Sequence, residues 1–240
     1  MKIALIGYGK MGKMIEEIIL KEGKHKIVLK INSANKNELT HFQLRNADAA
    51  IDFSNPEVVL QNIASCLMAH VPMVIGTTGW NDHLQQVKDE CKKTNGAIVY
   101  ASNFSIGVNI LFEMNRKLAQ LMKGRNDYEP SITEIHHTQK KDAPSGTAVT
   151  LAKDILNHSL SKKRWVNHKS DKSDELIILS RREGEVKGIH EVKYTSDVDE
   201  IMISHEAFSR EGFARGALFA AEWIHDRRGF FEFREVLNQQ

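Results

Sequence analysis

The chain opens with a short apolar run that leads directly into a glycine-rich turn and then into a helical pattern. Residues 2–6 form the run, and Gly7, Gly9 and Gly12 follow with the spacing Gly-x-Gly-x-x-Gly. Apolar side chains then recur every three or four residues over residues 11–22. A strand, a glycine turn and a helix in this order are typical of the first unit of a doubly wound parallel sheet. The N-terminus therefore predicts an α/β fold.

The rest of the first half repeats this alternation. Further strands are predicted at the short apolar runs 25–31, 49–53, 71–75 and 97–101. Helices are predicted between them at residues 56–69, with Pro56 in the first turn, and at residues 81–93. Strands that alternate with helices predict a Rossmann-type, doubly wound parallel sheet.

The pattern changes after about residue 104. Helices are predicted at residues 107–123, 145–156 and 213–226, and strands at residues 131–137, 176–182, 188–195 and 200–207. This order favours a second domain of α+β character with a mixed sheet. Residues 158–174 are polar, and we expect the basic stretch from Lys162 to Arg164 to be a solvated insertion.

Composition excludes several classes of protein. The 240 residues carry a formal net charge of +2, which gives no electrostatic case for binding nucleic acid. No run approaches the roughly 20 apolar residues that span a membrane, and the first residues do not resemble a signal peptide. The only cysteines are Cys66 and Cys91, too few for a disulfide framework. We therefore expect a cytoplasmic protein.

The glycine-rich turn is a candidate nucleotide site. Glycines at this spacing let the backbone approach a pyrophosphate, which would lie at the N-terminus of the following helix. An ordinary structural turn is the alternative. NAD-binding proteins usually carry an acid at the end of the second strand, where this chain has Asn32. Lys30 or Lys36 could meet a 2′-phosphate, which leans toward NADPH or dual use, unless both lysines belong to a solvated loop.

A second candidate segment follows a strand that we expect near the sheet centre. Gly76, Thr77, Thr78 and Gly79 stand there, where ligands of such sheets bind. Two hydroxyls and accessible backbone groups suit a nicotinamide and a carboxylate. The alternative is a turn with a helix cap at Thr78 or Asn81.

The most informative segment runs from His136 to Thr147. His136 and His137 close a strand and face opposite sides, so we expect them to have separate roles. Lys140 follows, and then Pro-Ser-Gly-Thr predicts a helix start that suits an anion. Proton donors beside such a site indicate an enzyme acting on a small acidic molecule. No metal site is predicted because no third ligand has suitable spacing, although His190 or His205 could join in three dimensions.

Together these segments resemble the dihydrodipicolinate reductase family, also called 4-hydroxy-tetrahydrodipicolinate reductases, over nearly the whole chain. The resemblance rests on motifs spread along the sequence: Gly9-Lys10-Met11-Gly12, Asp52-Phe53-Ser54, Gly76-Thr77-Thr78-Gly79, Asn103-Phe104-Ser105-Ile106-Gly107-Val108-Asn109, His-His-x-x-Lys-x-Asp-Ala-Pro-Ser-Gly-Thr from His136, Arg182-x-Gly184-x-Val186-x-Gly188-x-His190 and Ile203-x-His205-x-Ala207-x-x-Arg210.

The resemblance implies a reduction by NADH or NADPH that forms tetrahydrodipicolinate for lysine and diaminopimelate biosynthesis. His136 would be the general acid, assisted by Lys140. The substrate would be bound by His137, Ser145, Gly146, Thr147 and Thr77. The cofactor would be bound by Gly7, Tyr8, Gly9, Lys10, Met11, Gly12, Asn32, Gly76, Thr77, Thr78, Ala101, Ser102, Asn103 and Phe104.

The family also implies a domain organisation. Residues 1–104, completed by a C-terminal helix within 213–240, would bind the dinucleotide, and residues 105–212 would bind substrate and form a homotetramer. This chain departs from the family in its shorter glycine loop and in Asn32, where many members have an acid. Both departures bear on the choice between NADH and NADPH.

The sequence is also compatible with two other functions. One is another reductase of the same architecture, such as an aspartate or homoserine dehydrogenase, which the histidine–lysine segment disfavours. The other is a non-catalytic sensor of NAD(P)H, which would have no need of His136 or Lys140. A substrate screen distinguishes the first, and turnover of the cofactor distinguishes the second.

Overall fold

The computed structural model describes residues 1–239 and divides the chain into two compact units. Unit 1 comprises Met1–Ile106 together with the segment that begins at Glu211, and unit 2 is Gly107–Arg210. The elements in chain order are β1 (Lys2–Ile6), α1 (Lys10–Glu22), β2 (Lys26–Ile31), α2 (His41–Leu44), β3 (Ala49–Asp52), α3 (Val59–Ala69), β4 (Met73–Ile75), α4 (Leu84–Lys93), β5 (Ala97–Tyr100), α5 (Ile106–Leu121), β6 (Glu129–His136), α6 (Gly146–His158), β7 (Arg164–Val166), β8 (Glu175–Arg182), β9 (Ile189–Thr195), β10 (Glu200–Glu206), α7 (Glu211–Ile224), β11 (Gly229–Glu232) and α8 (Phe233–Leu237).

Unit 1 is built on a parallel sheet with the strand order β11-β5-β4-β3-β1-β2. All five strand pairs in this sheet are parallel. One apolar cluster covers one face, with Ile15 of α1 and Ala217 of α7, and a second contains Ile63 of α3 and Val87 of α4. A parallel sheet buried on both faces is the predicted doubly wound fold, which is confirmed.

The C-terminal part of unit 1 differs from the prediction of one helix within 213–240. The chain instead forms α7, then strand β11 beside β5, then the short helix α8. Helix α3 also begins at Val59, so Pro56 lies outside it. The Asn55 side chain accepts a hydrogen bond from the Glu57 amide at 3.0 Å, and this turn delays the helix.

Unit 2 is built on a mixed sheet with the order β10-β9-β6-β8-β7. Strand β6 is parallel to β8 and antiparallel to β9. Ile132, Ile178 and Val192 are buried in one apolar cluster with side chains of α5 and α6. None of the described helices is long and apolar enough to cross a membrane.

The basic stretch from Lys162 to Arg164 was predicted to be solvated, and for two of its residues this is wrong. Strand β7 begins at Arg164, and Lys162 is only 2% exposed. The Lys162 ammonium forms an ion pair with Glu129, and Arg164 pairs with Glu175. These charges are placed by partners distant in sequence, so the local pattern could not reveal them.

Candidate functional site

The glycine turn of unit 1 has the geometry of a phosphate-binding loop. Gly7 has φ +84°, and a Cβ there would lie 2.3 Å from the Phe53 carbonyl carbon, so only glycine fits. Gly9 precedes α1 with open space around its Cα, and no side chain caps that helix. The start of a 13-residue helix with an open approach fits the pyrophosphate of a dinucleotide.

The end of β2 is less available than the sequence suggested. The Lys30 ammonium forms an ion pair with Glu16 and lies 5.1 Å from the centroid of the Tyr8 ring, whose hydroxyl also donates to Glu16. The Asn32 side-chain oxygen accepts hydrogen bonds from the backbone amides of Ala34 (2.8 Å) and Asn35 (3.3 Å). Hydrogen bonding from Lys30 holds the pKa of Glu16 below its usual range. Lys30 therefore faces an ionised partner.

Thr77 is held by a buried carboxylate that sequence reasoning did not assign a role. Its Oγ1 donates to Asp52 at 2.6 Å, and Asp52 is fully buried at the end of β3. Ser54 and Asn62 also donate to this carboxylate. Burial raises the pKa of Asp52, and these four hydrogen bonds oppose that effect. In the sequence, this buried carboxylate is indicated only by the presence of an acid in an otherwise apolar strand.

Replacing Asp52 by asparagine should destabilise unit 1 by about 2 kcal/mol, because an amide group would then face donors in place of a carboxylate oxygen. The Thr77 hydroxyl would also lose its fixed orientation. Thermal unfolding measures the first effect and the Kd for NADH the second. Asp48→Asn is the matched control, since Asp48 also lies beside β3 but accepts a backbone bond in an exposed setting. Equal midpoints for both variants would contradict this prediction.

The remaining predicted cofactor residues of unit 1 follow β1, β4 and β5. Gly76 follows β4, and a Cβ there would overlap the Phe53 ring at 2.0 Å. Ala101 follows β5, and its amide donates to the Ile75 carbonyl at 3.1 Å. Phe104 is a core residue, 1% exposed, so its backbone and not its ring is left for a ligand. The exposed positions in this set are Gly9, Lys10, Ser102 and Thr78.

The predicted catalytic residues belong to unit 2. His136 is the last residue of β6 and is buried, whereas His137 follows the strand and is half-buried. The His136 ring makes an edge contact with the His190 ring, with centroids 5.0 Å apart. A Cβ at Gly188 would lie 3.1 Å from His136 Nε2, so the missing side chain leaves space at that nitrogen.

The predicted helix start is confirmed as the N-terminus of α6. Ser145 is its N-cap, and its hydroxyl accepts from the Ala148 amide at 3.3 Å and contacts His190 Nε2 at 3.1 Å. Gly146 is exposed and Thr147 is half-buried. The first turn of a 13-residue helix thus offers backbone N–H groups to an anion.

Lys140 is surrounded by charged groups. Its ammonium lies 2.7 Å from both carboxylate oxygens of Asp142. Arg182, which the sequence did not assign a role, donates to the carbonyl oxygens of Lys140 and Asp142 at 3.2 and 2.6 Å. Burial lowers the pKa of His136, the charges of Lys140 and Arg182 lower it further, and Glu134 opposes them.

Two family models cover almost the entire chain. The model of the dihydrodipicolinate reductase N-terminus matches residues 1–104, and that of the C-terminus matches residues 107–237. The chain belongs to the dihydrodipicolinate reductase family. The resemblance inferred from the sequence motifs is thereby confirmed, and members of this family use NADH or NADPH.

Curated relatives support this membership over the full length. The chain is 48% identical over 239 residues to the 4-hydroxy-tetrahydrodipicolinate reductase of Christiangramia forsetii, covering 99% of this chain and 98% of the relative. It is 40% identical over 200 residues to that of Methanopyrus kandleri, covering 80% and 72%. The dipicolinate-bound dihydrodipicolinate reductase from Paenisporosarcina sp. TG-14 has the same fold, with a TM-score of 0.78, 23% identity and 98% coverage of each chain.

Proposed function

We propose that this protein reduces 4-hydroxy-tetrahydrodipicolinate to tetrahydrodipicolinate with NADH or NADPH, in lysine and diaminopimelate biosynthesis. The observation that carries the proposal is 48% identity over 99% of the chain to a reductase of that name. Loss of the 4-hydroxyl group together with a hydrogen from the neighbouring carbon releases one water, and the double bond left at C4 then takes a hydride from NAD(P)H at C4 and one proton at the neighbouring carbon. The alternatives of another dehydrogenase and of a sensor have no comparable support.

Unit 1 would hold the cofactor. The loop from Gly7 to Gly12 would receive the pyrophosphate, Asn32 the ribose, and the segments Gly76–Thr78 and Ala101–Phe104 the nicotinamide half. When bound, the dihydronicotinamide supplies a hydride to C4 of the substrate ring. The Thr77 hydroxyl already donates to Asp52, so it would meet a ligand as an acceptor or through its backbone.

Unit 2 would bind the dianionic substrate and supply the proton. The first turn of α6, with Ser145, Gly146 and Thr147, and the half-buried His137 would receive the carboxylates. His136 would donate its proton to the carbon next to C4 and regain one from solvent. Lys140 would assist by stabilising negative charge, with Asp142 holding its ammonium in place.

The decisive experiment measures NADH and NADPH oxidation by the purified protein with substrate generated in place. Pyruvate and aspartate semialdehyde are condensed by a coupled synthase, and each precursor is omitted in turn as a control. Oxidation that requires both precursors supports the proposal. No oxidation, with NADH binding intact by fluorescence, would reject the reaction and revive the sensor.

The ion pair at the end of β2 predicts the cofactor preference. Glu16 offsets the Lys30 charge, so Glu16→Gln should raise kcat/KM for NADPH relative to NADH by roughly several-fold. The rate ratio of the two cofactors in the coupled assay measures this. Glu17→Gln, on the next residue of α1, is the control. A role of Lys30 near the 2′-phosphate would be contradicted if the NADPH-to-NADH rate ratio falls in Glu16→Gln. It would also be contradicted if the ratio changes equally in Glu16→Gln and Glu17→Gln.

We also propose that the protein is a cytoplasmic homotetramer and that it binds neither nucleic acid nor membranes. The unit 2 helices lie against one face of its sheet, and the edge strand β10 exposes Ile201 (38%) and Met202 (50%). A second subunit could cover this apolar edge. Light scattering on the purified protein gives the oligomeric mass, and a monomer at micromolar concentration would reject this part.

A further inference from the structure

A carboxylate lies at the centre of the unit 2 site and has no part in the reaction as proposed. Glu134 stands two residues before His136 on β6, and its side chain is fully buried. It accepts hydrogen bonds from the Ser145 amide at 3.1 and 3.0 Å and from the Ser180 hydroxyl at 2.7 Å. Arg182 Nη2 lies 3.5 Å away. Glu134 therefore ties β6 to the start of α6 and to β8.

The same carboxylate faces the ring of the proposed general acid. Glu134 Oε2 lies 3.6 Å from His136 Nδ1 and 3.8 Å from His190 Nε2. His136 Nδ1 is buried and has no hydrogen-bond partner among residues 1–239. A distance of 3.6 Å is too long for a hydrogen bond, so the interaction is between charges. A proton on Nδ1 is stabilised by it, and the opposite nitrogen Nε2 faces the space left by Gly188.

We propose that Glu134 is the positioning residue of this site: it fixes the His136 ring with Nδ1–H toward its carboxylate, so that Nε2 delivers the proton, and it anchors the N-terminus of α6. This inference rests on the proposed function of His136. After proton donation, neutral His136 keeps the Nδ1–H tautomer that faces Glu134, ready to regain a proton at Nε2. The carboxylate itself stays ionised throughout.

Among the charged groups around His136, the Glu134 carboxylate is the one that most favours the protonated ring. Lys140 and Asp142 act from the loop, Arg182 from β8, His190 from β9 and Glu134 from β6 itself. Asp142 is already paired with Lys140. Burial lowers the pKa of His190 to about 3, so His190 is neutral at pH 7. Without Glu134, burial and Arg182 would act against the charged form of His136 almost unopposed.

A metal site is the competing interpretation of the same cluster. Atoms of Glu134, His136 and His190 lie within 4.8 Å of one another. However, the carboxylate already accepts hydrogen bonds from Ser145 and Ser180, and Arg182 and the positive end of α6 adjoin it. A divalent cation would be repelled by those positive groups. The cluster is therefore better suited to hold a proton than a metal.

The test replaces Glu134 by glutamine, which keeps the shape and an acceptor for Ser180 but removes the charge. The His136 imidazole is titrated by NMR in protein labelled at histidine, with His136→Gln giving the assignment. We expect Glu134→Gln to lower the His136 pKa, because the negative charge that favours the protonated ring is lost. Because the acid form is the active one, kcat should fall at a lower pH than in the wild type, and kcat at pH 7 should drop about tenfold or more. The Kd for NADH should not change.

Two further variants make the result specific. Glu191→Gln is the matched control, since residue 191 is adjacent to His190 on β9 and faces the other side of the sheet. Its titration and pH profile should match the wild type. Glu134→Asp keeps the charge one carbon farther away and should recover part of the loss, which also provides a result should the glutamine variant not fold.

The outcomes separate this inference from the proposed reaction. An unshifted His136 titration in Glu134→Gln, or a loss of kcat that is equal at every pH, would overturn the positioning role. Stoichiometric Zn²⁺ binding to the wild type that Glu134→Gln abolishes would overturn it in favour of a metal site. If the wild type oxidises no NAD(P)H, the reaction fails, yet the NMR titration still decides whether Glu134 controls His136.

Discussion

Replacing His136 by alanine should lower kcat by about 10²–10⁴ while leaving the Kd for NADH unchanged, as is usual for the loss of a positioned general acid. His136 ends β6 with its ring buried beside Glu134. The His190 ring lies beside that of His136, with centroids 5.0 Å apart, but burial lowers the His190 pKa to about 3, so that ring is not a charged imidazolium acid at pH 7. The proposed cofactor residues all belong to unit 1, so binding should survive.

The coupled assay and NADH fluorescence check both halves of this prediction. His168→Ala is the control, because His168 is exposed in the same unit and should leave turnover intact. Lys140→Ala should also lower kcat, with weaker substrate binding, since the ammonium acts on the same site. Full turnover by the His136 variant would remove it from the mechanism and would leave Lys140 as the proton donor to test next.

Patterns that repeat over a few residues made much of this site predictable. Two-residue alternation governs β6, in which Ile132, Glu134 and His136 lie on one face and are all buried. The Ser145 cap and the helix after it follow from capping preferences that act within four residues. The glycine turn and its flanking strand and helix are equally local.

Features that depend on distant partners were not predictable in this way. Strand β11 has four residues and is defined by its pairing with β5, which lies more than 100 positions earlier in the chain. The roles of Asp52 and Glu134 depend on hydrogen-bond donors from other elements, Thr77 and Ser180 among them. A single acid in an apolar strand indicates a buried carboxylate, but its partners become known only once the strands are assembled.

Replacing Gly216 by alanine should destabilise unit 1 by about 3 kcal/mol, near the upper end for overpacking, because the added methyl group meets backbone. A Cβ at this position would lie 1.7 Å from the Phe104 carbonyl oxygen and 3.4 Å from the Phe233 ring. The carbonyl belongs to the segment that follows β5, so helix α7 would have to move away from the sheet. That movement would also displace the proposed cofactor segment Ala101–Phe104 and weaken NADH binding.

Gly212 in the same helix provides the matched control. A Cβ there would meet only Ser105 Oγ at 3.6 Å, an ordinary contact. Alanine at 212 should be neutral or should stabilise the helix by up to about 1 kcal/mol, since alanine is the better helix former. Thermal unfolding of the two variants tests the contrast directly. If both variants shift the midpoint equally, contact with Phe104 is not the cause, and the close packing of α7 would have to be rejected as the reason for glycine at 216.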